Sequence, residues 1–508
     1  MGSRKNSPDI LLPEKQLKWN FKGQFTLLGI SYDVNNNNQD NANFQKAKKE
    51  IESLLGNWTL RNLTLKGKVT VLKSLALPKL THLLMVLPVN KKYLNELQSL
   101  FFRFIWDRGK DKIKRSIMHL PVEEGGLNVP NLEIFSKTIK MIWIKKLLNN
   151  EDFSPWKNLI LSKLIPFGGN LIWFYDTNHL KKLHKNLNPF WSCVLEAWQI
   201  FKTETPSTTD EALSQPLWYN RHIQINRKTI FFKYLHQAGV NFINDLLKQN
   251  GHFFTYKEFR DNYDVNVDFL SYNAIIHAIP KIWKTWIGLD PKKLTEIKKT
   301  ELEILKSLKK PNKYLYQTVI NKEANKPVIK SQNIWRDILG LYDIEWGFFY
   351  KLPSQVTIET KLQNFQFKIL HRILTTNSKL LYFKIRQNNR CTFCEINKET
   401  ITHLLCECAY SKTVWLQLQD WLNTSFNFNI NLKIPDIILG KREPVPNIPM
   451  NHIILIVKHY IYAARCKHTL PNLKGAKKRI AQTIEIEINT ERNMRNKWDL
   501  IKQQLDIE

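Results

Sequence analysis

A mainly α-helical protein with one small cysteine–histidine module is the expected fold of this chain. Apolar residues recur at helical spacing in segment after segment, whereas strand signals are short and sparse. Four of the six cysteines fall with His403 inside the stretch "CTFCEINKETITHLLCEC", Cys391 to Cys408. With 508 residues, 43% hydrophobic and 12% aromatic, the chain has material for real cores in roughly two to four domains.

The elements follow in order. "FTLLGI", Phe25 to Ile30, reads as a strand, with Gly29 marking a close backbone approach. Phe44, Ala47, Ile51, Leu54 and Trp58 trace one face of an amphipathic helix. A second helix should start near Leu65 and stop before Pro78. A third carries Leu94, Leu97, Phe101, Phe104 and Ile105 on one face. "EEGGLNVPNL", Glu123 to Leu132, is turn-rich and extended, and a helix should run from Ile134 to Leu148. "FKTETPSTTDEALS", Phe201 to Ser214, reads as a linker or exposed loop. "QPLWYN", "GVNFINDLLKQNGHF" and "IPKIWKTW" read as helical, aromatic-rich pieces joined by turns. The Lys-rich run over 296–313 should be a solvated helix ended by Pro311, and Ile453 to Gln504 a long helical tail. No fixed-period repeat is visible.

The charge is the strongest global signal. Lys and Arg total 76 against 45 acidic residues, a net +31. Such a field attracts a polyanion, nucleic acid first and an anionic membrane surface second. No run of 18 apolar residues suggests a spanning helix. The opening "MGSRKNSPDILLPEK" lacks the apolar core of a signal peptide, and Asn6 stands where a myristoylation signal wants Ser or Thr. An intracellular site, nucleus or cytoplasm, is expected, with cysteines as thiols or metal ligands. Phosphate-loop, dinucleotide-fold, nucleophile-elbow and His-Glu-x-x-His motifs are all absent from the sequence.

Cys391 and Cys394 have knuckle spacing, in which one tight turn lets two thiolates reach a tetrahedral Zn²⁺ at about 2.3 Å. Eight residues lie between Cys394 and His403. The fourth ligand is Cys406 or Cys408. Four residues separate His403 from Cys408 and only two separate it from Cys406, so spacing favours Cys391, Cys394, His403 and Cys408. Four protein ligands leave no open position, so the zinc should be structural rather than catalytic. The bland alternative is a set of idle thiols in a helical domain.

Two basic segments are candidates for phosphate contact. "RFIWDRGKDKIKR" interleaves cations with Phe104 and Trp106, which sit at core spacing; the contacts would fall to Arg108, Lys110, Lys112, Lys114 and Arg115. In "LRNLTLKGKVTVLKSL", Thr64 could cap a helix whose N-terminus, at Gly67, could otherwise meet phosphate. "FQFKILHRILTTN" reads as a core helix with a basic flank, and His371 has no nucleophile beside it to make it catalytic.

Taken in order, the motifs resemble the C-terminal part of a LINE-type, non-LTR retrotransposon reverse transcriptase. "FTLLGI" looks like the strand closing the palm. "WTLRNLTLKGKVTVLKSLALPKLTHLLMVLP" and "LQSLFFRFIWDRGKDKIKR" with "MHLPVEEGGLNVPNL" are similar to the thumb. "QPLWYN", "FQFKILHRIL", the cysteine motif and "KHYIYAARCKHTLP" resemble the region beyond it. The resemblance implies a short β-stub of the palm over 1–40, a thumb-like helical domain over 41–150, and a helical connector and linker over 151–214. A helical C-terminal region over 215–385, a Cys/His motif over 386–425 and a helical tail over 426–508 follow. It implies RNA and DNA as partners, places Lys66 and Lys68 near primer and template, and agrees with a Cys-x₂-Cys…His-x₄-Cys zinc set. The Asp-Asp pair that would hold Mg²⁺ in a full-length enzyme is missing. A truncated, polymerase-inactive fragment that still binds nucleic acid is therefore expected. A basic helical scaffold for an acidic protein, or a retrotransposon remnant without function, are the alternatives.

Overall fold

The structure is a computed structural model. It describes residues 24–33, 39–149, 151, 153–165, 169–174, 187–202, 205–289, 301–323, 327–426, 429–442, 448–490 and 497–498. The described residues are mainly helical, and their four strands form two hairpins. Contacts divide the chain into two units. The first takes Met1–Lys49, Pro78–Leu97 and Asn131–Asn325; the second takes Glu50–Leu77, Gln98–Pro130 and Lys326–Glu508.

The first unit opens on a hairpin, not a single strand. Gln24–Leu27 pairs antiparallel with Ile30–Asp33. Leu28 and Gly29 turn the chain with φ of 49° and 79°, the two positive values that match the twist of a two-residue hairpin. "FTLLGI" is thus a strand, its turn and the first residue of the return strand. The Asn43 side chain clasps Ser31, accepting from its N–H at 2.9 Å and donating to its C=O at 2.7 Å. That clasp ties the hairpin to helix Gln39–Thr59.

The core of this unit is aromatic. Helix Leu132–Leu147 is capped by Asn131, and helix Pro189–Phe201 by Asn188, whose Oδ1 accepts from Trp191 N–H at 2.9 Å. Trp143 meets Trp156 and Phe190 edge-on, at 5.3 Å in each case, and Trp156 stacks on Trp191 at 6.1 Å. Two of the buried indoles find carbonyls: Trp198 donates to Trp173 C=O and Trp218 to Val240 C=O.

Several expected helices in this unit take other forms. In "QPLWYN" Pro216 bridges Phe242, and in "GVNFINDLLKQNGHF" one 3₁₀ turn, Ile243–Leu246, is followed by a bridge from Leu247 to Phe253. Gly239 and Gly251 have φ of 91° and 85°, which interrupts a helix on both sides of that turn. Within the expected linker, Thr209–Leu213 form a helical turn capped by Thr208, with Ala212 and Leu213 buried. Pro311 opens helix Pro311–Glu323, where a missing N–H costs nothing, while helix Glu301–Ser307 has already stopped. The start of the Lys-rich run lies outside the described residues.

In the second unit, helix Leu65–Val71 is capped by Thr64, whose hydroxyl accepts from Gly67 N–H at 3.2 Å. The N-terminal amide is therefore already satisfied by protein. A π-helical turn follows, Leu72–Ala76, and helix Leu77–Val86 then continues the chain into the first unit. Pro78 sits in the first turn of that last helix rather than after a terminus. Leu77 N–H reaches back five residues to Leu72 C=O, and this wider turn absorbs the donor that proline lacks. By length and composition alone Leu65–Val86 could cross a membrane, which the run-length expectation missed. Leu72, Ala76, Leu80 and Leu84 are all buried, a core-helix stripe.

Leu94, Leu97, Phe101, Phe104 and Ile105 are buried along helix Lys91–Ile105, as their spacing foretold. The "EEGGLNVPNL" segment folds back over Arg115–His119, with Val129 N–H on Met118 C=O at 3.0 Å. A Cβ on Gly126 would stand 1.9 Å from Leu120 C=O, so only glycine fits there. The tail is two helices, Ile448–Cys466 and Leu473–Thr490, separated by a turn at His468 with φ of 53° and by Pro471. Buried Glu487 accepts from Lys497 Nζ at 2.9 Å, Trp498 Nε1 at 3.0 Å and Thr357 Oγ1 at 3.0 Å, which pins residues 497–498 to the unit.

Candidate metal centre

The cysteine motif begins as a tight loop. Cys391 N–H bonds Asn397 C=O at 2.7 Å, Glu395 N–H bonds Cys391 C=O at 2.9 Å, and Arg390 bridges Lys398. Glu395 takes a φ of 56° to close the turn. The loop aims two thiols at one point, and Phe393 N–H already points at Cys391 Sγ, 3.4 Å away.

The other half of the site comes from a π-helical turn, His403–Glu407. In an α-helix, at about 100° per residue, Cys406 would lie near the azimuth of His403 and Cys408 about 140° away. The π turn reverses that choice. Cys408 N–H bonds His403 C=O, five residues back, at 2.8 Å, so Cys408 comes round beside His403. Thr400 Oγ1 caps this turn from the other end, accepting from His403 N–H at 3.0 Å.

The result is a four-atom cluster. The ligand atoms of Cys391, Cys394, His403 and Cys408 all lie within 4.8 Å of one another. Two thiolates about 2.3 Å from a tetrahedral zinc stand about 3.8 Å apart, and a thiolate and imidazole nitrogen about 3.6 Å. The Cys391–Cys408 sulfur pair is at 3.8 Å and Cys394 Sγ to His403 Nε2 at 3.4 Å. The cluster fits a structural zinc ion. Cys391 donates to Cys408; that bond and burial hold the Cys391 thiol above its ordinary pKa and the same bond draws Cys408 below. Cys406 stands outside the group, and burial pushes its thiol up to about 12.

A buried carboxylate that spacing did not flag braces the site. Glu399 is fully buried. It accepts from Thr392 N–H at 2.8 Å, inside the Cys391–Cys394 turn, and from Asn377 N–H at 2.8 Å, at the start of helix Asn377–Tyr382. Arg465, from helix Ile448–Cys466, closes on it at 3.0 Å and donates to Asn377 Oδ1 at 2.6 Å. Burial alone would lower the Arg465 pKa, but the charge and hydrogen bond of Glu399 raise it. The only sequence hint of this brace is an acid inside the motif; its partner arginine is 66 residues away.

The basic candidates part ways. Arg108, Lys110, Lys112 and Lys114 are exposed around the turn after helix Lys91–Ile105, where Asp107 and Arg108 take φ of 51° and 62°. Arg115 is exposed but bonded to Asp111 at 2.7 Å. Lys66 is exposed and reaches Gln363 at 2.9 Å. Lys68, expected beside it on a surface, is 4% exposed, bonding Asp107 at 2.5 Å and Ile105 C=O at 3.2 Å. Phe104 and Trp106 are core. Nothing catalytic gathers around His371, which is buried, bonds Gly125 C=O at 2.8 Å, and is driven by burial down to about 4.

Compared with known families, residues 344–415 match one described as zinc-binding in reverse transcriptase. The match spans all four clustered ligands and relates the protein to reverse transcriptases.

Proposed function

We propose that this protein, related to reverse transcriptases through a zinc-binding region, binds RNA or DNA on a surface that a structural zinc ion holds in shape. Cys391, Cys394, His403 and Cys408 are the zinc ligands in this reading. The surface beside them carries it. Immediately before the cluster, Tyr382, Phe383 and Ile385 are 82%, 61% and 71% exposed, and they alternate with Lys384, Arg386 and Arg390. Exposed rings between cations suit a single strand, since base stacking on an aromatic contributes about 1–3 kcal/mol per base and cations neutralise the backbone. Lys66, Arg108, Lys110, Lys112, Lys114 and Arg115 extend the basic character of the second unit and are the further phosphate contacts proposed, whereas Lys68 is buried and already held by Asp107. The finer kinship, to the C-terminal thumb and Cys/His region of LINE-type enzymes, is supported by the order of the motifs along the chain. Polymerisation is not assigned to a chain with no Asp-Asp pair.

A mobility-shift titration with a single-stranded RNA, run at low and moderate salt, tests this. Binding should weaken with log salt at a slope of about −0.7 per phosphate contacted. No binding at low salt, or binding that salt leaves unchanged, would sink the reading and favour an acidic protein partner instead. Metal analysis should return about one zinc per chain.

A further inference from the structure

A cavity of about 320 Å³ opens in the second unit. Its walls come from the start of helix Leu65–Val71, the turn after helix Lys91–Ile105, helix Thr360–Leu370 and helix Ile448–Cys466. Lys68, Lys112, Lys361 and Lys368 line it, and Asp107 is the sole carboxylate among the lining residues. Asp107 is engaged with Lys68 at 2.5 Å. Lys112, Lys361 and Lys368 therefore share one hollow with no second acid among the residues that line it.

Two further observations point to an anion as the ligand of this cavity. The indole N–H of Trp106, another wall residue, is buried and bonds nothing in the protein, and an unmet buried donor costs about 1–3 kcal/mol. The ammonium groups also feel one another. Lys368 is lowered by burial first, then by the charges of Lys112 and Lys68, against the opposing pull of Asp107. Neighbouring Lys379 is brought down to about 8 by burial, Arg372 and Lys112. Like charges that line one hollow repel until an anion enters.

We propose that this cavity is an anion subsite that takes a phosphate group, supplied by the backbone of a bound RNA strand. Lys112, Lys361 and Lys368 surround the phosphate, and Lys68, held by Asp107, fixes the floor. The lysine-only wall suits a tetrahedral phosphate approached by point charges, since no arginine lines it to fork onto a planar carboxylate. A free phosphate compound has the same chemistry, so the source of the phosphate rests on the nucleic-acid reading above while the subsite does not.

The test uses the full chain and amine acylation read lysine by lysine by mass spectrometry, with a single-stranded RNA and inorganic pyrophosphate as separate probes. RNA should slow labelling of Lys361 and Lys368 severalfold and leave exposed Lys330 unchanged. A Lys361→Gln/Lys368→Gln variant should bind RNA about tenfold more weakly, with a salt slope shallower by about 1.4. Lys368→Arg should recover part of the loss, and unchanged zinc content would show that the variants fold. If RNA binds normally, without protecting these lysines or noticing the variant, the subsite is wrong and the nucleic-acid reading stands. If RNA fails to bind but pyrophosphate protects both lysines, the subsite stands and its ligand is a free phosphate compound. If neither probe protects them, the subsite is overturned.

Discussion

The core of the first unit and the metal centre of the second hold their shapes by different means. In the first, Trp143, Trp156, Phe190 and Trp191 interlock through ring contacts, and the buried indoles of Trp198 and Trp218 are satisfied by carbonyls. Its stability comes chiefly from apolar area removed from water. The second has an apolar core too, but its centre is built from groups that would rather be in water: three thiols, an imidazole, a carboxylate and a guanidinium. Burying them is tolerable only if each finds its partner. Thus the first region should yield gradually to the loss of bulk, while the second should fail sharply when one partner is removed.

The largest separation should come from the metal. A structural zinc contributes on the order of 10 kcal/mol to folding of its site. Chelation, or Cys408→Ser, should empty the site and raise hydrogen exchange across residues 390–408, leaving helix Pro189–Phe201 as protected as before. Cys406→Ser should keep about one zinc per chain; loss of the metal in that variant would reassign the fourth ligand. Next in size is the brace. Glu399→Gln strands the Arg465 charge and should cost about 3–5 kcal/mol in chemical denaturation. Adding Arg465→Met should recover much of that, whereas additive losses would show that the pair is not coupled.

Acid offers a third handle. His119, His371, His452 and His459, all in the second unit, are lowered first by burial, His371 and His459 to about 4. The unfolded chain takes up these protons near pH 6.5, and the fold resists those of His371 and His459 until about pH 4. Stability is thus complete above that window and falls as pH drops through it, by up to about 3 kcal/mol for His371. Hydrogen exchange at pH 5 should loosen the second unit, and His371→Gln should flatten the decline. The smallest effect belongs to the first region. Asn188→Ala removes one cap and should cost about 1 kcal/mol, with zinc content untouched.

Much of the centre was legible before the structure. Knuckle spacing singled out Cys391 and Cys394, and the longer gap preferred Cys408 to Cys406, the choice the geometry of the cluster also makes. Helical periodicity placed the buried face of Lys91–Ile105 residue by residue. What escaped was long-range or local in unusual ways. Nothing in sequence links Glu399 to Arg465, because each is an ordinary charge until the fold buries both. Lys68 resembled Lys66 until Asp107 and Ile105 claimed it. Pro78 looked like a helix end because the π turn that accommodates it has no periodic signature. "QPLWYN" looked helical because its aromatics are dense, yet Pro216 joins a bridge.

The π turn at His403–Glu407 has a consequence for how this region can vary in length. A π turn is one residue longer than the α turn it replaces. Removing Leu404 would let an ordinary helix bring His403 and the former Cys408 to positions four apart, again on one side. Two spellings of the motif, differing by one residue, would then encode the same ligand pair. A single-residue gap in this segment should therefore be silent for the metal, while a three-residue gap, leaving the pair two apart, would swing the sulfur to the far side.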